Sequence, residues 1–377
     1  PPPPPPPTLL KERPVAEFWS WLGSPEVLVL VGFHVFIAGM LALDLGVFQR
    51  HAHAVGMKEA AVWSAVWVAL ALLFAAAIWQ FWDDWHPGQS GRGGVKAVEF
   101  VTGYLIEKSL SVDNLFVFLV IFRYFAVPPH LQHRVLYWGI LGALIMRASM
   151  ILAGAALLAA FHWMVYVFGA FLLYTAYKML RSSVEEDIDP GRNPLLRLAR
   201  RVLPVVSDYD SPRFWVKRAG RWYATPLPLV LLVVESTDVM FAVDSIPAIF
   251  AVTKDTFIVY TSNVFAILGL RSLFFLLAGF LGMFRYLSTG LAVVLAFVGL
   301  KMIVEEPLHP YLEHAGIGQT GLILISLGVV AGILTAAVVA SVIAGPREPL
   351  EQPPEAAAED TAAVSADPAA PPPGGEP

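Results

Sequence analysis

Residues 235–253, ESTDVMFAVDSIPAIFAVT, set three carboxylates, Glu235, Asp238 and Asp244, into a run that is otherwise apolar. With the apolar residues before it, the stretch 227–251 is long enough to cross a bilayer as a helix, which takes about 20 residues. An ionised side chain at the bilayer centre costs about 2.5–3.5 kcal/mol even on the gentler insertion scales. These acids must therefore face one another, a cation or water, and not lipid. Glu235 and Asp238 are three apart and share a helical face. Asp238 and Asp244 are six apart, which turns a regular helix by about 240°. They can meet one site only if the helix is broken, and otherwise they serve different neighbours. Pro247 has no N–H and leaves the carbonyl of Val243 without its helical partner. The sequence thus predicts a local break, with a freed carbonyl as an oxygen ligand beside Asp244 and Ser245.

A second copy of the pattern lies upstream. EKSLSVDN, 107–114, places Glu107 six residues before Asp113, with Asn114 where the other copy has Ser245. Each copy is followed by a span with a central arginine, GALIMRAS around Arg147 and AILGLRS around Arg271. Each then has a third span ending in Lys-Met-apolar and a glutamate pair: Lys178-Met179-Leu180 with Glu185-Glu186, and Lys301-Met302-Ile303 with Glu305-Glu306. Three spans per copy is an odd number, so the copies must lie in opposite orientations. Inverted repeats are a recurring plan of secondary transporters, with the site near the midplane.

The wider composition agrees with a membrane protein. Of 377 residues, 57% are hydrophobic and only 15% charged, where soluble domains carry about 25%. The reading is an all-α, polytopic transmembrane helix bundle of about nine spans: 26–48, 60–82, 98–122, 135–160, 162–181, 227–251, 256–282, 286–304 and 319–344. Residues 1–25 form an N-terminal extension; Pro1–Pro7 do not read as a signal peptide. Residues 26–345 form the transporter domain, with repeat one at 98–181, a basic cytoplasmic loop at 182–225 and repeat two at 227–305. The tail, 346–377, is rich in Ala, Pro and Glu and is expected to be disordered. Placing the basic loop inside puts fifteen Lys and Arg in cytoplasmic segments against five outside, which predicts the N-terminus outside and the C-terminus inside.

The ligand chemistry follows. There is no cysteine, so any metal is held by oxygen or imidazole. Glu107, Asp113, Asn114, Glu235, Asp238, Asp244 and Ser245 are the candidate metal ligands, an oxygen-rich set that suits hard divalent cations. Arg147 and Arg271 are the expected counter-charges of the empty site, with Asp44 and Lys108 as further coupling candidates. Protonation of a carboxylate on the return step would couple export to protons. A methionine such as Met240 in a membrane helix reads as packing. His51 and His53 read as a solvated loop, and His309 and His314 as part of a polar one. GQSGRGG, 88–94, lacks the ending of a phosphate-binding loop. No Ser or Cys stands beside a His base, so no catalytic residue is assigned, and an intramembrane hydrolase ranks low. The net charge of −5 argues against nucleic acid. The implied partners are the lipid bilayer, a divalent metal ion and protons; no feature sets an oligomeric state.

Three strings together, LALDLGVFQRHAH (41–53), EKSLSVDNLFVF (107–118) and ESTDVMFAVDSIPAIFAVT (235–253), resemble the TerC family of bacterial and plastid membrane proteins, which is similar to LysE-type exporters. The resemblance covers about residues 30–305. It implies export of Mn²⁺ across the bacterial inner membrane, with the family's acidic membrane residues falling on Glu107, Asp113, Glu235, Asp238, Asp244 and Asp44, and no prosthetic group. It also carries an association with tellurite resistance. A second reading is a membrane partner that helps metallate or assemble exported or membrane proteins, docking through the basic loop and the acidic tail.

Overall fold

The computed structural model describes residues 24–48, 56–86, 91–181, 190–206, 209, 213–218, 220–278, 286–314 and 318–345. It is an all-α bundle. The helices are α1 (Pro25–Phe48), α2 (Met57–Trp85), α3 (Gly93–Tyr124), α4 (Pro129–Ala160), α5 (Met164–Arg181), α6 (Pro194–Val202), α7 (Pro226–Phe250), α8 (Thr256–Leu268), α9 (Leu270–Ala278), α10 (Leu287–His314) and α11 (Gln319–Ala344). Proline opens α4, α6 and α7, where its missing N–H costs nothing. Six helices are long and apolar enough to cross a membrane, and the bent pair α8–α9 would make a seventh. The bundle is apolar outside and polar within: Leu73, Ile145, Leu152 and Ile343 are exposed, while Glu107, Arg147 and Asp238 are buried.

Four expectations change. Helix α3 starts at Gly93 and not at 98, which brings Lys96 into the helix. The span 256–282 is broken, with a bend of 42° between α8 and α9; a Cβ on the intervening Gly269 would lie against the Lys108 ammonium and Trp67. Helix α7 runs unbroken through Pro247. The proline stands in the last turn, where Ala251 already donates to its carbonyl, 3.1 Å, so the loss of one partner for Val243 does not open the helix. The basic segment is also more than a loop. It holds a 3₁₀ turn (Pro190–Arg192), α6 and a hairpin of β1 (Trp215–Arg218) and β2 (Arg221–Ala224), turning at Gly220 with φ +80°. Tyr209 fastens the segment to the end of α3 by donating to the Phe125 carbonyl, 2.7 Å. Burial pushes its hydroxyl up to about 12, so it remains a neutral donor. The N-terminal extension, His51, His53, Glu185, Glu186 and the tail lie outside the described residues, as do the side chains of Asp44, His309 and His314.

Helix directions follow from contacts. Helices α3 and α7 run antiparallel, since Glu99 meets Thr253 and Gly103 meets Ile249. Helices α3 and α8 run parallel, Gly103 meeting Ser262 and Lys108 meeting Ala266. Helices α4 and α7 are parallel too, through Gly139 with Val234 and Gly154 with Phe250. Helices α5 and α10 cross antiparallel with their backbones almost in touch. A Cβ on Gly299 would lie 2.8 Å from the Gly169 carbonyl oxygen and 2.9 Å from the Leu172 Cβ. Backbone cannot retreat as a flexible side chain can. Gly299→Ala is therefore expected to destabilise by about 1–3 kcal/mol, read as a lower thermal unfolding midpoint of the purified protein in detergent.

Candidate functional site

The candidate site is built on Arg147 of α4, which is 1% exposed. The glycines that precede it on α4 let α7 come close: Val234 packs on Gly139, and the Glu235 carboxylate fills the space where a Gly142 Cβ would be. Arg147 then reaches acids on two other helices, α3 and α7. Its Nη1 pairs with Glu107 of α3. Its Nη2 and Nε donate to the two oxygens of Asp238 on α7, at 3.2 and 3.3 Å, a side-on bidentate contact. Nη1 also lies 3.5 Å from the Ser245 hydroxyl. Glu107, Asp238 and Ser245 are all buried. Two carboxylates share one guanidinium, so the triad has a formal charge of −1 inside an apolar bundle.

The other predicted acids do not join it. Asp113 accepts from Ser288 of α10, 2.6 Å, and Asp244 from Thr175 of α5, 3.0 Å. The six-residue spacing thus sends Asp113 and Asp244 to different neighbours, in each case a hydroxyl, on α10 and on α5. Asn114 is buried on α3 beside Asp113. Glu235 and Arg271 line a small cavity with Asp238, about 20 Å³, room for about one water-sized sphere. Lys108 donates to the Ala266 carbonyl, 3.3 Å. Met240 is 68% exposed and supplies no soft ligand to the buried triad. Among the described residues no three of His, Asp and Glu stand close enough to hold a metal ion together. In this arrangement Arg147 occupies the place between the acids.

Sequence reasoning missed a second charged network on α3. Lys96 bridges Glu99, 2.9 Å, and Asp255, 3.0 Å, and lies over the Trp82 ring. Thr253 donates to Glu99 at 2.6 Å. These residues line a cavity of about 690 Å³ with His162 and Glu305. The signal was the spacing: Lys96, Glu99, Gly103, Glu107, Ser111 and Asn114 recur three or four apart, a buried polar stripe along one face of α3. Lys96 lies between the glycine-rich stretch GQSGRGG, 88–94, and the span expected to open at 98, and so reads as loop.

Residues 93–348 match the integral membrane protein TerC family. The chain belongs to the TerC family. It is 51% identical over 327 residues to an uncharacterized membrane protein, STKORF319, of Myxococcus xanthus, covering 87% of this chain and 95% of that one. It is 50% identical over 317 residues to the Escherichia coli K12 protein provisionally named membrane-bound redox modulator Alx, covering 83% of this chain and 93% of that one. A Rickettsia felis membrane protein is 38% identical over 274 residues, covering 73% and 87%. No solved structure matches the chain. The TerC match spans the Arg147 triad, Lys96, Glu99 and Asp255, and α11.

Proposed function

We propose that this TerC protein is a transporter of divalent cations, most readily Mn²⁺, working by exchange of the ion against the Arg147 guanidinium. The observation that carries the reading is the meeting of Glu107 and Asp238, one from each repeat, on a single buried cation in a bundle that is apolar outside. Buried charge in a membrane is costly and is retained at functional sites. The triad sits where α3 and α7, antiparallel openers of the two repeats, come together. The first helix of each repeat packs on the second of the other, and the two third helices cross. That reciprocal packing supports two inverted three-helix units within 98–305. In this reading α3 and α5 are spans as well, making nine, and the protein lies in the bacterial inner membrane with its N-terminus outside. The Lys96–Glu99–Asp255 cavity is then the outer vestibule, and Tyr209 and the hairpin face the cytoplasm. The preference for Mn²⁺ rests on the family resemblance; the donor set alone favours hard divalent cations.

The alternative is a membrane partner that assists metallation or assembly of exported or membrane proteins; the Escherichia coli relative is named a membrane-bound redox modulator. The 377 residues contain no cysteine, so thiol exchange would have to use a partner's thiols. The two readings separate in purified liposomes. Full-length protein is expected to carry Mn²⁺, and Mg²⁺ or Ca²⁺ more slowly, across vesicles holding no other protein. Vesicles that pass none of the three faster than protein-free ones would end the transport reading.

A further inference from the structure

Beside the triad, the described structure leaves a group of buried polar atoms without partners. Both amide atoms of Asn263, the Ser111 hydroxyl and the Tyr104 hydroxyl have no hydrogen-bond partner among the described residues, nor does Glu107 Oε2. Asn263 is 1% exposed, Ser111 0% and Tyr104 7%. Buried polar groups in native proteins are almost always satisfied, and an amide with both ends unmet is the most costly of these.

Their placement is shared. Tyr104, Glu107 and Ser111 are spaced three and four apart and occupy one face of α3. That face meets α8, which touches α3 through Ser262 and Ala266. Asn263 lies on α8 between those two residues. Val259, one turn earlier, packs in a cluster with Ile151, itself one turn from Arg147 on α4. Helices α4 and α8 run in opposite directions, because α4 parallels α7, α7 opposes α3, and α3 parallels α8. One turn along α8 from Val259 therefore brings Asn263 level with Arg147 and Glu107.

We infer that Asn263 is a direct oxygen ligand of the carried cation, and that Ser111 and Tyr104 complete a neutral polar wall beside the two carboxylates. This rests on the transport reading and names ligands of the same site. The carboxylates supply charge, and Asn263 Oδ1 supplies a neutral oxygen. A site with one fewer oxygen discriminates less well between Mn²⁺, which accepts a compact shell, and Ca²⁺, which takes six to eight ligands.

The test uses the full chain in liposomes, with Mn²⁺, Mg²⁺ and Ca²⁺ as probes, four variants of Asn263, and Asp238→Asn for comparison. Asn263→Leu is expected to raise the half-saturating Mn²⁺ concentration about tenfold or more and to change the Mn²⁺ to Ca²⁺ flux ratio. Its thermal unfolding midpoint without metal should be equal to or above wild type, because an apolar side chain removes an unmet buried amide. Asn263→Asp keeps an oxygen and is expected to retain binding. Asn263→Ser keeps a smaller one and should outperform Asn263→Ala, which covers the case in which leucine does not pack. Leucine, serine and alanine variants that all keep wild-type half-saturation and ion ratios, while Asp238→Asn is inactive, would overturn this inference and leave the transport reading intact. If the wild-type protein passes none of the three ions faster than protein-free vesicles do, the transport reading itself fails.

Discussion

Asp238→Asn is expected to lower divalent-cation flux by about 100-fold or more while the chain still reaches the membrane. Asp238 gives both its oxygens to Arg147 from a buried position, and it is one of two anions in the triad. Taking away its charge changes the site from −1 to neutral with Arg147 still present. A unit charge about 4 Å from a cation is worth about 4 kcal/mol at an effective dielectric of 20, and each tenfold in affinity is about 1.4 kcal/mol, so two to three powers of ten are at stake. The fold should tolerate the change. Asparagine is isosteric and can still accept from Arg147, and the Glu107–Arg147 pair remains. Flux into liposomes, with protein quantified after membrane isolation, reads the effect. Asp238→Glu, which restores the charge on a longer arm, should recover part of the flux. An Asn variant as active as wild type, at equal protein, would remove Asp238 from the pathway.

The sequence made the site legible as a list but not as a geometry. Composition and the long apolar runs carried the all-α bundle, because hydrophobic length is a one-dimensional signal. The spacing of the acids already contained their split. Six residues on an unbroken helix cannot face one site, and Asp113 and Asp244 indeed find Ser288 and Thr175 in place of the triad. The break expected at Pro247 did not occur, because a proline in the last turn costs one carbonyl partner that the helix end can forgo. A real break came at Gly269, where no proline stands and where Lys108 and Trp67 occupy the space that a side chain would need. Close approach by another helix is invisible in a single sequence. So was the Lys96 network: the glycines ahead of it read as loop, whereas in the fold Gly93 packs against the Trp79 carbonyl and starts the helix.

The Lys96 network and the Arg147 triad repeat one device at two depths of α3. In each, a single tethered cation bridges one acid of α3 and one acid on or just after α7: Glu99 with Asp255, and Glu107 with Asp238. Glu99 and Glu107 are eight residues apart on the same face, about 12 Å along a helix. Such a pairing keeps the acids compatible with an apolar bundle when no ion is present. It also ties α3 at two levels, to the turn after α7 through Asp255 and to α7 itself through Asp238.

Arg147→Met is the sharpest separation of a transport role from a packing one, and its largest effect is on stability and not on flux. Methionine fills much of the arginine volume, leaving Glu107 and Asp238 buried without their cation. Removing one partner of a buried ion pair costs about 3–5 kcal/mol, because the remaining charge is uncompensated. The metal-free variant should therefore unfold at a clearly lower temperature than wild type. If the two acids are the cation site, a divalent ion can take the place of the guanidinium. Added Mn²⁺ at about 100 times its dissociation constant should then return about 2.7 kcal/mol, a rise in the unfolding midpoint of several degrees. The wild-type midpoint should move less, because there the ion must first displace Arg147. Transport by the variant should be slow even when binding is tight, since no tethered cation remains to expel the ion. Arg147→Lys keeps a positive charge and should show little metal-dependent stabilisation. A packing role predicts the opposite pattern: Arg147→Met unfolds early, and Mn²⁺ does not bring it back.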